Sequence, residues 1–283
     1  MTCCLCTVGQ VVHTLPKGLP VKGVTSLGDE VFVLRRKERD QIEVYDVITF
    51  RLLRCMTIPN IRGLADITSC EHYRCVYISD NIVMCIRRVD VQTGATTQWA
   101  VCDMPSGLSV TKAHNVVVTF HVVRKIKEFS SHGQLLQELA LPDDVINPWH
   151  AVQLTTGQYV VCHGNEGTDR RDTVHRVCLM NEYCTQFVHS HGGQPGSDIG
   201  QYNVPGHLAV DDHEFVFVVD TLNRRVTLLS PTLNYIRQVV SRDKLKWRPC
   251  RLHLDVQRRR LYVTDIRYKD GKVTAGRVVV FSV

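Results

Sequence analysis

The side chains best able to do chemistry in this sequence are its cysteines and histidines, and their spacing decides which chemistry is open to them. A structural zinc site wants four thiolate or imidazole donors, usually as two short-spaced pairs. Twelve cysteines are present, yet the tightest group, Cys3-Cys4-Leu5-Cys6, is too cramped to wrap a tetrahedral ion without a second half. His189-Ser190-His191 has a metal-like spacing, but in an outer, solvated run. No Gly-x-Ser-x-Gly elbow, P-loop or paired-carboxylate motif occurs. The expectation is a chain without catalysis, cofactor or metal.

Cysteines such as Cys85, Cys102, Cys162 and Cys178 sit in or beside apolar runs, where reduced thiols act as small buried hydrophobes. There is no Asn-x-Ser/Thr sequon, and the start has neither the basic region nor the apolar stretch of a signal peptide. No apolar run approaches the roughly 20 residues that span a bilayer. These features predict a reduced, cytoplasmic protein, monomeric and with no membrane partner.

The elements that must position any site are strands. Short β-branched or aromatic runs recur: Val31–Val33, Val76–Ile78, Val116–Val118, Tyr159–Val161, Phe215–Val218 and Leu261–Val263, each followed by a second run. Prolines at 20, 105, 148, 205 and 249 mark the entries, with one further entry at Ile61-Arg62-Gly63. No segment keeps a 3.6-residue apolar period, so helices should be nearly absent. A four-strand unit repeated six times predicts an all-β, six-bladed β-propeller. The expected blades are 19–60, 61–104, 105–146, 147–203, 204–246 and 247–283, all in one domain. The last unit lacks an outer strand, and the leading segment 5–15 is expected to supply it, closing the ring. Unit four is longer because of two Gly-rich loops, 164–172 and 192–201.

The fifth unit carries the most specific pattern: Gly200 to Asp211 (GQYNVPGHLAVD), then Val218 to Val226 (VVDTLNRRV). The sixth repeats it in worn form, with Leu252 to Asp255 and Leu261 to Asp265. These segments resemble the NHL repeat, and the chain looks like the C-terminal NHL propeller of tripartite-motif proteins. The resemblance implies that Arg225 and Asp220 bind each other across a strand turn. It further implies a target-recruiting role within a larger ligase, although nothing here resembles a RING finger. Several propellers of that family bind single-stranded RNA, and some six-bladed relatives are lyases or lactonases.

The balance is modestly basic, 34 Lys and Arg against 28 Asp and Glu. Each unit has a basic cluster near the turn between its second and third strands, represented by Arg36, Arg124, Arg170 and Arg224. Linkers between units add Arg62 and Lys246. Equivalent loops of a propeller emerge on one face, so these predict a positive rim. Two residues after the entry prolines come Lys22, Gly107, His150, His207 and Arg251, which should open the central channel and favour an anion, more so in acid. Trp149, Tyr202 and Trp247 lie nearby as possible stacking surfaces. The expected function is recruitment of a protein partner, an acidic or extended peptide, through this face; the alternative is single-stranded RNA.

Overall fold

The computed structural model describes residues 9–36, 41–164 and 174–283. The chain forms six four-stranded antiparallel sheets. A first strand, β1 (Gln10–Thr14), is set aside for the end of the chain. Blade one is β2 (Val21–Leu27), β3 (Glu30–Arg35), β4 (Gln41–Asp46) and β5 (Leu52–Thr57). Blade two is β6 (Leu64–Cys70), β7 (Cys75–Asp80), β8 (Cys85–Asp90) and β9 (Thr96–Ala100). Blade three is β10 (Leu108–Val110), β11 (Val116–Phe120), β12 (Lys125–Phe129) and β13 (Leu135–Ala140). Blade four is β14 (Pro148–Gln153), β15 (Tyr159–Gly164), β16 (His175–Met180) and β17 (Phe187–Gly193). Blade five is β18 (Pro205–Val210), β19 (Val216–Asp220), β20 (Arg225–Leu229) and β21 (Tyr235–Val240). Blade six is β22 (Arg248–Asp255), β23 (Arg260–Lys269) and β24 (Lys272–Ser282), and its outer strand is β1. The closing strand expected from the sequence is therefore present, and the six-bladed propeller is confirmed. Among the described residues the only helix is a short 3-10 turn, Arg242–Lys244.

The period-two pattern explains why the blades stack. In β3, Val31 and Val33 point toward Tyr262, Val278 and Val280 of blade six, while Phe32 and Leu34 point toward Leu64, Ile67 and Ile78 of blade two. A strand buried on both faces reads as an unbroken apolar run, which is why EVFVLR shows no polar alternation. Six apolar clusters result, one at each blade interface, so the core is a ring rather than a ball. Among the cysteines, Cys85, Cys162 and Cys178 are buried free thiols as expected. Cys102 is not: it is exposed, because its φ of 63° turns the chain out of β9.

A recurring aspartate fixes the linkers. Asp80 and Asp220 end the second strands of their blades, Asp265 holds the equivalent place within the longer β23, and all three are fully buried. Asp80 accepts the backbone N–H groups of Arg62 (2.9 Å) and Gly63 (2.8 Å). Asp265 accepts those of Lys246 (3.0 Å) and Trp247 (2.7 Å), and Asp220 accepts that of Asn203 (2.8 Å). An arginine on the third strand completes two of these knots: Arg225 Nε lies 2.8 Å from Asp220, and Arg277 Nε 2.8 Å from Asp265. The Asp220–Arg225 partnership implied by the sequence resemblance is thus observed. Linkers and second-to-third-strand turns consequently share one face, termed here the entry face.

Candidate functional site

The inner strands line the channel, and their register corrects the sequence reading. Pro148, Pro205 and Pro249 each lead into a β-bulge, as do Val21 and Leu64. Val21 pairs with Arg35 as Pro148 pairs with His163, so Gly23, and not Lys22, is the counterpart of His150. By the same register Asp66 is the counterpart of His150 and His207. In blade two Leu64 stands where Pro148 and Pro205 stand in theirs, so the proline count missed Asp66.

Asp66 is the hub of the channel and is 1% exposed. Its carboxylate accepts the backbone N–H groups of Ile67 and Leu108 (both 3.0 Å) and the Nε2–H of His207 (3.2 Å). Arg251 Nε lies 3.3 Å away. Burial pushes this carboxyl up, but His207 and Arg251 outweigh it and hold it down at about 2. The channel mouth expected to be purely cationic therefore has a carboxylate at its centre. His150 stacks on His207 with ring centroids 3.8 Å apart, and its Nε2–H donates to the Leu108 carbonyl (2.9 Å). Burial pushes His150 down to about 3 and His207 in the same direction. His150 therefore stays neutral well below the ordinary histidine value, and burial disfavours the charged form of His207, so the expectation that both gain positive charge in mild acid fails at His150. Asp66, His150 and His207 do bring donor atoms within 4.8 Å of one another. Yet Arg251 already supplies positive charge there, and the Asp66 carboxylate is taken up by His207 and two backbone N–H groups.

Asp66→Ala is expected to cost about 3–5 kcal/mol, because it strands Arg251 and His207 in a buried site. Asp66→Asn should lose less, since it keeps an acceptor for the two backbone N–H groups. Thermal unfolding of both variants measures this; an unchanged midpoint for Asp66→Ala would remove Asp66 from its place as hub.

Above the channel, Lys22, Ala65, Ser106, His121, Trp149, Thr221, Arg251 and Tyr268 border a cavity of about 310 Å³. Trp149 is half-buried, stacked on His121 at 5.6 Å, and donates its Nε1–H to the Gly164 carbonyl (3.2 Å). Tyr202, expected as a stacking surface, is 1% exposed in the core between blades four and five, with its hydroxyl on Thr227. It has no free ring face to offer a base.

The positive rim contracts to an arc. Arg124 is paired with Asp143 (2.9 Å), and Arg224 donates to the carbonyls of Arg242 and Leu245. Arg87 is buried against Asp80 and the Asn60 carbonyl. Arg170 lies outside the described residues. Cations instead gather at the seam of blades six and one, with Lys17, Lys246 and Arg248 exposed and Arg277 held on Asp265. Trp247 stands among Lys17 Nζ (5.8 Å), Lys246 Nζ (5.6 Å) and the Arg277 guanidinium (5.6 Å), and Arg248 covers Tyr268 at 5.2 Å. The long hairpin β23–β24 projects here, carrying exposed Arg267, Lys269 and Lys272. Arg36 and Arg62, both exposed, continue the arc toward blade two.

Local structure builds this seam. Asp265 grips Lys246, Trp247 and Arg277 together. The linker bearing Lys17 is tied down by Arg35, which donates to the carbonyls of Pro16 (2.8 Å) and Leu19 (2.9 Å), and by the Gly18–Gly276 bridge. The cations are thus held by backbone fixed on two blades. Sequence reasoning found Lys246 and Trp247 but not their convergence with Lys17 and Arg277, which lie far away in the chain.

Fold and site together define a six-bladed β-propeller with a one-sided basic seam. Similar solved structures include a streptogramin B lyase (11% identity, 92% of this chain and 93% of that one, TM-score 0.62). They also include a catalytically inactive variant of virginiamycin B lyase from Staphylococcus aureus with quinupristin (9%, 97% and 98%, 0.63). A third is the Cps50 (Swd1) β-propeller domain of Myceliophteria thermophila (10%, 97% and 99%, 0.61). At these identities the likeness is one of fold. No known family profile and no curated protein matches the sequence. No helix among the described residues is long and apolar enough to cross a membrane.

Proposed function

We propose that this propeller is a non-catalytic interaction module that recruits an acidic, extended protein segment onto its entry face, at the seam of blades six and one. The observation that carries the reading is the set of cations around Trp247. A single-stranded nucleic acid needs open aromatic faces as well as charge. Here Tyr202 is buried, Trp149 is engaged by His121, and Trp247 is decked by cations. What remains is charge recognition, which suits Asp and Glu side chains on a flexible strand. The fold likeness includes lyases, but the channel histidines of this chain are buried, with burial disfavouring their charged forms, and its carboxylate is fully engaged. That supports binding over catalysis. The NHL-like pattern of the fifth and sixth blades agrees with a recruiting role in the cytoplasm.

The test is fluorescence anisotropy with a short, labelled glutamate-rich peptide at about 50 and about 200 mM salt, alongside a uridine oligonucleotide. The peptide should bind, and more weakly at the higher salt. Lys246→Glu with Lys269→Glu should weaken it about tenfold or more, since both side chains are exposed. Tighter binding of the oligonucleotide than of the peptide would transfer the function to single-stranded RNA.

A further inference from the structure

The entry face bears a second exposed feature beside the basic arc. In blade two the turn between β7 and β8 carries Ile82, Val83 and Met84, exposed by 58%, 39% and 40%. In blade three the equivalent turn carries Val122 and Val123, exposed by 64% and 39%. Met104, in the linker between these blades, is 38% exposed. Scattered surface hydrophobes call for no explanation, but neighbouring turns that are apolar together on one face do. The corresponding turn of blade five is Thr221-Leu222-Asn223-Arg224, so apolar tips are not a demand of the turn itself.

The backbone sharpens the point. Met84, Arg124 and Arg224 occupy the left-handed region at φ 52°, 51° and 56°, where glycine is favoured and a side chain costs about 1 kcal/mol. Arg124 and Arg224 use the position to reach Asp143 and the Leu245 carbonyl. Met84 uses it to hold an apolar side chain in water.

Around the ring the two features follow one another in blade order. Taken blade by blade, the cations of the seam are followed by exposed Arg36 and Arg62, then by Ile82–Met84, Met104 and Val122–Val123. Arg62 and Gly63 are pinned by Asp80, the last residue before the turn that bears Ile82. Basic arc and apolar turns therefore share a rigid support, two blades apart at their centres. We infer that they form one docking track, and that the partner is a single extended peptide segment with an acidic stretch at one end and a cluster of apolar side chains at the other. The acidic stretch lies on the seam of blades six and one, and the apolar cluster on the turns of blades two and three. Charge recruits the segment, and the apolar turns select it from other acidic chains.

This rests on the acidic-peptide reading above, and the test separates the two. Two labelled synthetic peptides are compared by anisotropy on the whole chain: one glutamate-rich throughout, the other with the same charges followed by leucine and phenylalanine. The composite peptide should bind about tenfold tighter. Ile82→Ser with Val122→Ser, at exposed turn positions, should abolish that advantage and leave the acidic peptide's affinity unchanged. A melting curve matching the parent shows that the double variant is folded. Equal binding of both peptides would overturn the track while leaving acidic-segment recruitment in place. A composite advantage that survives the double variant would also overturn it. Failure of both peptides to bind would overturn both readings.

Discussion

Removal of residues 1–15 is expected to leave the protein insoluble, or melting about 10–20 °C lower if it stays in solution. The strand lost is β1, which pairs with β24 from Gln10↔Ser282 to Thr14↔Val279. Leu15 goes with it, fully buried beside Val21, Tyr262 and Val278, and burial of one leucine stabilises by about 2–3 kcal/mol. Gone too are the bonds from Gly9 N to Val239 O (2.8 Å) and from Leu15 N to Val278 O (2.9 Å), and the stack of His13 on Phe50 at 4.4 Å. With backbone bonds at about 1 kcal/mol each, the loss is about 5 kcal/mol or more. The exposed edge would be the apolar run Val278-Val279-Val280-Phe281, a ready template for pairing with a second molecule. Thermal melting and light scattering of the truncated protein measure both effects. A soluble, monodisperse truncation with an unchanged midpoint would show that ring closure contributes nothing.

Acid is expected to unfold this protein well above the range in which carboxylates titrate. Burial pushes His150 down to about 3, and His163 and His253 to about 4, with His207 shifted in the same direction. In each case the unfolded chain binds a proton that the folded chain refuses. Stability is therefore fully present above the ordinary histidine value and is lost as pH falls through it. From about pH 7 to about pH 5 each of the three contributes a loss of about 2 kcal/mol, about 6 in all. Asp220 opposes this. Burial pushes it up to about 6 against its hydrogen bonds from Asn223, Asn203 and Arg225, so it returns about 1 kcal/mol over the same range. The net expected loss is about 5 kcal/mol, comparable with the whole stability of many domains. Urea midpoints at a series of pH values would show it, and a flat profile between neutrality and about pH 5 would contradict the burial of these rings.

The repeat was legible because burial on both faces leaves a plain mark: short β-branched runs at a steady interval, broken by proline and aspartate. The closing strand was legible for a related reason, since a leading strand without a unit and a unit without an outer strand complete each other. Asp220 with Arg225 was legible through a resemblance in one blade. Asp66 was hidden because Leu64 takes the place that proline holds in blades four and five, so the proline spacing did not align it with His150 and His207. The basic rim was overread because the sequence counts cations without saying which are spent. Arg124, Arg87 and Arg224 are consumed by carboxylates and carbonyls that only the folded ring brings near. The aromatic set was overread likewise: Tyr202 sits in a motif-rich segment, and in this propeller that segment faces the core.

The pairing of β1 with β24 has a temporal side. It joins Gln10 to Ser282, so the last blade cannot be assembled until β24 has left the ribosome. The five blades built from consecutive strands can form as they are synthesised, but they wait as an open arc with both outer interfaces uncovered. The basic seam lies at that last junction, with Lys17 delivered by the linker after β1 and Arg277 by β24. Until Arg277 has been made, the seam lacks one of the cations that surround Trp247.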